Sequence, residues 1–441
     1  MRMPILYVHG VNTRSREGFF TIEPLLRRHV APVISNDPGR VRIQDYYWGD
    51  LGMKLAWDGA SRPRTQLLGK GIDQSSNDLL ARSLAADENR VLLDRFPPPA
   101  AAATEEEGPL FAPGVAGGAA PAQRMPPLTD LTHDQLSDLL ASLTAPPADA
   151  PPPATQAKAE ASGAKRARLI LAADKVSHDP DTFALLAGQS PERQVALLVD
   201  RLRAEAAEAD ELAGKGFDDF WSGLKERVGE ALDRGDDRLG YVLSVLTAEL
   251  RPKLNAMISI FLGDVFIYLH GRDDPKSRPG KILAGLIEQL KEEHQRKLAD
   301  SEPLIVLTHS MGGQLIWDAV SFQLAKDPAT KDIRIDFWCA SASQVGFFEE
   351  AKLFLASDPK HRPGFPVPFP HVNLGVWWNV WDYNDFLSFT ADGICAGVDD
   401  SAYSSGKSLI EAHGGYLERA SFFRELAGKV DAAKAKGFKM P

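Results

Sequence analysis

Short apolar runs alternate along this chain with longer segments of helical periodicity. The runs are rich in β-branched and aromatic residues, which is typical of buried strands. They lie near residues 3–8, 41–48, 303–308, 333–340 and 373–381, with a shorter run near 400–405. This alternation predicts an α/β fold, with a mostly parallel sheet flanked by helices on both faces. Functional loops are expected at the carboxyl ends of its strands.

A large insertion separates the second predicted strand from the third. We therefore expect a discontinuous catalytic domain, residues 1–60 and 255–441, interrupted by an insertion at 61–254. Within the insertion, about 96–165 is rich in Pro and Ala, which predicts a partly disordered linker containing a short helix near 129–143. About 169–250 predicts a helical cap.

One helix of this cap is expected to begin with Ser190 as N-cap and Pro191 at its first position. Val195, Leu198 and Val199 form part of its apolar face. Apolar helical faces either pack on the body of a protein or bind a partner or lipid. The sequence leaves both interpretations of this face open.

A serine follows the third predicted strand. The strand runs into Thr308-His309-Ser310-Met311-Gly312-Gly313, and a helical pattern begins at Gln314. Such a strand-to-helix turn holds a nucleophilic serine in a strained, exposed position, with the next N–H, that of Met311, available to stabilise an oxyanion. The motif departs from G-x-S-x-G at Thr308. The alternative is that Ser310 merely caps a helix.

The first predicted strand ends in His9-Gly10-Val11-Asn12. In serine hydrolases a loop after a strand supplies the second oxyanion N–H, and Val11 is the candidate donor. We expect His9 to fix this loop rather than to act as a base. Asn12 and Arg14 are expected to brace the loop.

The acid and the base should follow the serine in the order Ser, Asp, His. His413 is the candidate base, because no other histidine lies downstream of the acid candidates. Two aspartates follow the predicted strand 373–381. We favour Asp385 as the acid, since the apolar residues after it can fix its loop, and Asp382 is the alternative acid with a capping role in the turn.

These motifs resemble the α/β-hydrolase superfamily, in particular its lipase- and esterase-like serine esterases. The segments 261–265 and 342–346, with Tyr268, add to the resemblance, which covers about residues 1–60 and 255–430. The resemblance implies an α/β-hydrolase fold and a Ser310–Asp385–His413 triad. It implies an oxyanion hole formed by the Val11 and Met311 N–H groups, and cleavage of carboxylic esters, lipid esters among them. This chemistry requires no metal and no cofactor.

Composition narrows the expected partners. The chain has 441 residues, a net charge of −10 and a pI near 5.6, which gives no general attraction to nucleic acid. Its two cysteines, Cys339 and Cys395, indicate a reducing compartment rather than a disulfide framework. No secretion signal is recognisable, and the apolar stretch 256–268 predicts a buried helix too short to cross a membrane. We therefore expect a cytoplasmic enzyme without a transmembrane segment.

Two other functions remain open at this point. One is a hydrolase effector of the toxin or defence-associated type, gated by a protein partner that binds the helical insertion. The other is an inactive scaffold with a hydrolase fold. Thioester or amide cleavage would use the same triad. The presence of all three triad residue types in the expected order favours an active enzyme.

Overall fold

The computed structural model describes eight stretches of the chain. They are residues 4–56, 128–144, 153–189, 191–208, 259–272, 279–300, 302–405 and 412–439. Residues 53–56 and 259–263 belong to a second compact unit, and all other described residues belong to the unit that contains the sheet.

Six strands form one sheet in which every neighbouring pair is parallel. The strands are β1 (Pro4–Val8), β2 (Arg42–Tyr46), β3 (Ile305–His309), β4 (Ile335–Ser341), β5 (Leu374–Trp381) and β6 (Asp399–Ala402). Their order is β2-β1-β3-β4-β5-β6. The prediction of a mostly parallel sheet flanked by helices is thus confirmed, and every predicted strand is present with its ends displaced by at most three residues.

Helices connect these strands. Those within the described residues include α1 (Glu17–Leu25), α2 (Ala31–Ile34), α3 (His133–Leu143), α4 (Gln156–His178), α5 (Asp181–Leu186), α6 (Pro191–Glu208), α7 (Lys281–Asp300), α8 (Gly312–Asp318), α9 (Leu324–Lys326), α10 (Val345–Glu350), α11 (Ala412–Gly415) and α12 (Ala420–Ala435). The π-helical turns Leu26–Val30 and Ala319–Gln323 join α1 to α2 and α8 to α9. Among the described residues, no helix combines the length and apolarity needed to cross a membrane.

The described part of the predicted insertion is helical. Much of the predicted linker, about 96–165, lies outside the described residues, and its described parts include α3 and the start of α4. Helix α6 begins at Pro191, as predicted, and its residues Leu198 and Val199 are buried. Since α6 packs against α4, this apolar face covers the protein's own helices.

The predicted buried helix at 256–268 is only partly correct. Residues 256–258 lie outside the described part of the chain, and 264–271 are helical. Asp264 and Tyr268 are buried, whereas Phe266 and Ile267 are exposed. The helix is therefore amphipathic, because a run of apolar residues on a helix turns some of its side chains away from the core.

The winding of the sheet reverses between β1 and β3. The chain passes from β1 outward to β2, and then from β3 to β6 on the other side. In open parallel sheets, ligands bind outside the carboxyl ends of the strands at such a reversal. A Cβ atom added to Gly312 would lie 2.4 Å from the Val8 carbonyl oxygen, so α8 begins directly against the end of β1.

Thr308 replaces the first glycine of the elbow motif without disturbing the sheet. It is fully buried between β1 and β4. Its hydroxyl accepts a hydrogen bond from the Trp338 indole N–H at 3.0 Å and donates to the Cys339 carbonyl at 3.4 Å. The hydroxyl of Thr308 can therefore be buried here, because it has a partner both as a donor and as an acceptor.

Replacing Thr308 with valine should destabilise the fold. The change keeps the shape of the side chain but leaves the buried Trp338 N–H without its acceptor, at a cost of about 1–3 kcal/mol. Thr308→Ser keeps the hydroxyl and loses one methyl group, at about 1 kcal/mol. Urea denaturation of both variants measures the difference, and a smaller loss for valine than for serine would contradict this account.

Candidate active site

Ser310 occupies the sharp turn between β3 and α8. Its φ is +52°, a left-handed conformation that costs a residue with a side chain about 1–3 kcal/mol. Two backbone hydrogen bonds hold it there: the Ser310 N–H donates to the Ser341 carbonyl, and its carbonyl accepts from the Gly313 N–H, both at 2.9 Å. This is the strained turn expected for the elbow.

The expectation that this serine is exposed is wrong. Ser310 is only 1% exposed. The loop after β1 passes directly against it, since a Cβ added to Gly10 would lie 2.6 Å from the Ser310 Cβ. The buried Gln344 side chain, from the loop after β4, lies beside its Oγ. The two neighbouring loops therefore cover the turn from both sides.

The loop after β5 and helix α11 bring Asp385 and His413 together. The His413 Nδ1 lies 2.9 and 3.0 Å from the two carboxylate oxygens of Asp385. The same carboxylate accepts from the Leu387 N–H at 2.9 Å and from the Tyr416 hydroxyl at 3.2 Å. Burial, followed by the charge of Asp385, raises the pKa of Tyr416, so its hydroxyl remains a donor at ordinary pH.

Apolar packing is not what fixes the Asp385 loop, contrary to our expectation. Phe386 is 67% exposed. Hydrogen bonds hold the loop instead, including those from the Ser388 hydroxyl to the carbonyls of Asp382 and Asp385 at 3.2 and 3.0 Å.

Asp382 has a different set of partners. Its carboxylate accepts from the Asn384 N–H at 2.8 Å and from the Ser405 N–H at 2.6 Å. These contacts brace the turn after β5 and tie it to the chain after β6. The structure thus pairs His413 with Asp385, and places the alternative acid, Asp382, in the capping role.

His413 reaches the elbow without a hydrogen bond to the serine. Its ring centroid lies 4.9 Å from that of His309, the residue before Ser310. The Nε2 of His413 is buried and has no hydrogen-bond partner within the described ranges. Catalytic hydrogen bonds are often absent or long without substrate and form in the reacting complex.

The candidate oxyanion donors lie on two adjacent loops. Val11 follows Gly10, whose added Cβ would also lie 2.9 Å from the His309 carbonyl oxygen. Met311 directly precedes α8, and N–H groups at the start of a helix have no partner within the helix. The two residues thus belong to backbone segments that meet beside Ser310.

Asp264 holds the loop after β1. The Asn12 N–H donates to its carboxylate at 2.8 Å, and Arg14 forms an ion pair with it at 2.6 Å. Asn12 has a φ of +60°, so the loop is sharply turned at this residue. As predicted, Asn12 and Arg14 brace the loop, and the sequence did not indicate that the buried Asp264 is their common partner.

His9 fixes the start of the same loop, as expected, through contacts with Trp48. Its Nε2 accepts from the Trp48 N–H, and the Trp48 indole donates to the His9 carbonyl, both at 2.9 Å. The two rings stack with centroids 5.0 Å apart. Burial lowers the pKa of His9 to about 4, so it stays neutral. Its ring nitrogen is engaged and is not available as the base.

Sequence reasoning assigned no role to Gln344 or Tyr416. Both contact the candidate triad, Gln344 at Ser310 and Tyr416 at Asp385. Gln344 could have been found, since a polar residue in the short loop after a buried parallel strand lies at the functional edge of the sheet. Tyr416 carried no such signal.

Comparisons with protein-family models, curated proteins and solved structures give no match to this chain. Among the described residues, no group of three or more His, Cys, Asp or Glu side chains is arranged to hold a metal ion. Function is therefore inferred from the geometry of the site.

Replacing Gly10 with alanine should destabilise the protein. The new methyl group would overlap the Ser310 Cβ, and forcing an atom into a packed site costs about 1–3 kcal/mol. Gly18→Ala is the matched control, since nothing lies within 4 Å of its added Cβ and alanine stabilises a helix by up to about 1 kcal/mol. In urea denaturation, the free energy of unfolding should fall for Gly10→Ala and rise for Gly18→Ala. Equal changes in the two variants would contradict the close approach of Gly10 to Ser310.

His9 should make stability dependent on pH. Because the folded state lowers the pKa of His9 from 6.5 to about 4, the unfolded chain takes up the proton first as pH falls. The contribution of His9 is complete above pH 6.5 and is lost progressively towards pH 4. His9→Gln should flatten the dependence of unfolding free energy on pH in this window. An unchanged slope would show that His9 does not titrate in this way.

Proposed function

We propose that this chain is a serine hydrolase of the α/β-hydrolase type that cleaves carboxylic esters through an acyl-enzyme. The observation that carries the proposal is the left-handed Ser310 between β3 and α8, with the hydrogen-bonded Asp385–His413 pair against the preceding residue, His309. A serine that merely caps a helix has no need of strained backbone or of a neighbouring acid–base pair.

The topology of the sheet supports the same function. Ser310 and Val11 follow β3 and β1, the two strands at which the winding reverses. Asp385 and His413 come after β5 and β6, so the candidate groups occur in the order Ser, Asp, His. A nucleotide-binding protein can share this sheet, but the turn after β1 is His9-Gly10-Val11-Asn12 and lacks the Gly-x-Gly-x-x-Gly pattern.

In the proposed reaction, His413 takes the proton of the Ser310 hydroxyl while Oγ attacks the ester carbonyl. Asp385 accepts from the Nδ1–H of His413, which leaves Nε2 as the base. The Val11 and Met311 N–H groups stabilise the oxyanion, and one such donor contributes about 3–4 kcal/mol. His413 then protonates the leaving alcohol, and water hydrolyses the acyl-enzyme by the same steps.

One observation favours a gated form of this enzyme as the second candidate. Ser310 is 1% exposed, so a substrate carbonyl cannot reach its Oγ until a covering group moves. A protein partner, or the substrate itself, would have to displace that cover. The partner-gated effector therefore remains a proposal, with the same triad as its chemistry.

Two measurements test the proposal. They are labelling with a fluorophosphonate and hydrolysis of p-nitrophenyl esters from acetate to palmitate. Ser310→Ala should abolish labelling, and Ser310→Ala and His413→Ala should each lower kcat/KM by at least about 10³-fold. Asp385→Ala should lower kcat/KM by about 10²–10⁴-fold, since nothing then holds the His413 ring in the tautomer that leaves Nε2 free to act as the base. Asp382→Ala removes only contacts within the turn, so it should lower kcat/KM by less than about tenfold.

The outcomes separate the candidates. Labelling that persists in Ser310→Ala would contradict the assigned nucleophile. Equal losses for Asp382→Ala and Asp385→Ala would contradict the assigned acid. A folded wild type that neither reacts with the probe nor hydrolyses any ester would contradict an open esterase and favour the gated or inactive form.

A further inference from the structure

Gln344 is a buried amide at the centre of the candidate site. It follows β4 and directly precedes α10, and its side chain is 1% exposed. Its Nε2 lies 3.4 Å from the Ser310 Oγ and 2.8 Å from the Ala342 carbonyl oxygen. The same nitrogen donates to the Leu387 carbonyl, two residues past Asp385. One side chain thus contacts both the turn with the nucleophile and the loop with the acid.

The neighbours of Gln344 fix the orientation of its amide. Its Oε1 accepts from the Gln314 Nε2 at 2.7 Å, and the other end of the amide faces two carbonyl oxygens. A rotated amide would set its own oxygen against those carbonyls, which no hydrogen bond could compensate. The N–H groups therefore point towards Ser310 and the acid loop.

This orientation constrains the proton of the Ser310 hydroxyl. The amide nitrogen carries two N–H groups and faces two carbonyls as well as the Ser310 Oγ, so one N–H is shared between a carbonyl and the Oγ. An amide N–H donates and cannot accept, so the Oγ is the acceptor in this shared contact. The single hydroxyl proton is left for another acceptor. The Nε2 of His413, buried and without a partner in the described ranges, is the acceptor that the proposed reaction requires.

A backbone contact strengthens the tie between the two loops. The Phe389 N–H donates to the Ser343 carbonyl at 2.9 Å, one residue before Gln344. The acid loop is therefore joined to the β4 loop at Leu387 through a side chain and at Phe389 through the backbone. Removing the Gln344 amide would free the segment nearest Asp385 while the backbone contact remains.

We infer that Gln344 is a positioning residue for the nucleophile, an inference that rests on the proposed serine hydrolase function. By donating to the Ser310 Oγ it directs the hydroxyl proton towards His413, and by donating to Leu387 it holds the acid loop in register with the turn. Its effect is on the reactivity of Ser310 rather than on the binding of the acyl chain.

The first test compares Gln344→Met with wild type. Methionine has a similar volume and no donor, so the second-order rate of fluorophosphonate labelling and kcat should both fall about 10–100-fold, with KM within about twofold. Gln323→Met is the control. Gln323 is also a buried glutamine, but it lies in the π-helical turn after α8, away from the triad, and its variant should label at the wild-type rate.

The second test uses Gln344→Glu, which has the same shape. An ionised carboxylate only accepts, so it would take the Ser310 proton away from His413, whereas the protonated acid can donate as the amide does. The labelling rate of this variant, divided by that of wild type, should rise as pH is lowered from about 9 to 6. If Gln344 had a purely structural role, this ratio would not rise as the pH is lowered.

The outcomes distinguish this inference from the proposed function. If wild type is not labelled at Ser310, the open esterase fails, and this inference about the resting site fails with it. If wild type is labelled and a folded Gln344→Met labels as fast as Gln323→Met, only the inference fails. Should Gln344→Met not fold, Gln344→Glu decides alone, and a ratio that stays constant or falls towards low pH overturns the role of Gln344.

Discussion

The site depends on the close approach of three backbone segments at the carboxyl ends of β1, β3 and β4. Ser310 holds its left-handed conformation at the end of β3, a strand paired on both sides in the interior of the sheet. The strain of about 1–3 kcal/mol is opposed by hydrogen bonds to the neighbouring segments, such as that from the Ser310 N–H to the Ser341 carbonyl. Gly10 and Gly312 permit the approach, since a side chain at either would overlap the adjacent segment.

The three histidines of this region, His9, His309 and His413, differ in burial and in their charged partners. Loss of hydration, with a further contribution from His413 and then His9, holds the pKa of His309 well below its usual range. His9 is neutral for the same main reason. A site with two uncharged imidazoles can develop a positive charge on the third, and only His413 has a carboxylate partner. The pairing with Asp385, rather than the number of histidines, is what singles out His413 as the proposed base.

The sequence predicted those parts of the structure that local pattern determines. The strands, the turn at Ser310, the loop role of His9 and the beginning of α6 at Pro191 each follow from a few adjacent residues. The cover over Ser310 did not follow, because it comes from Gly10 and Gln344, which lie far from Ser310 in the chain.

The choice of Asp385 illustrates the same limit. Asp385 does pair with His413, but the expected reason was wrong, since Phe386 faces outward and hydrogen bonds fix the loop. Local composition indicates that a loop is held in place, whereas the groups that hold it are set by tertiary contacts. The contacts from Gln344 and Tyr416 are of this kind.

The unpaired nitrogen of His413 connects the structure of the site to its proposed chemistry. A buried polar atom without a partner costs about 1–3 kcal/mol. In the proposed reaction, the cost at Nε2 is removed when Nε2 takes the Ser310 proton and donates to the leaving group. An interaction that is absent in the resting site and present in the transition state lowers the barrier rather than merely tightening binding. The unpaired nitrogen of His413 therefore lies where the proposed reaction would supply its partner.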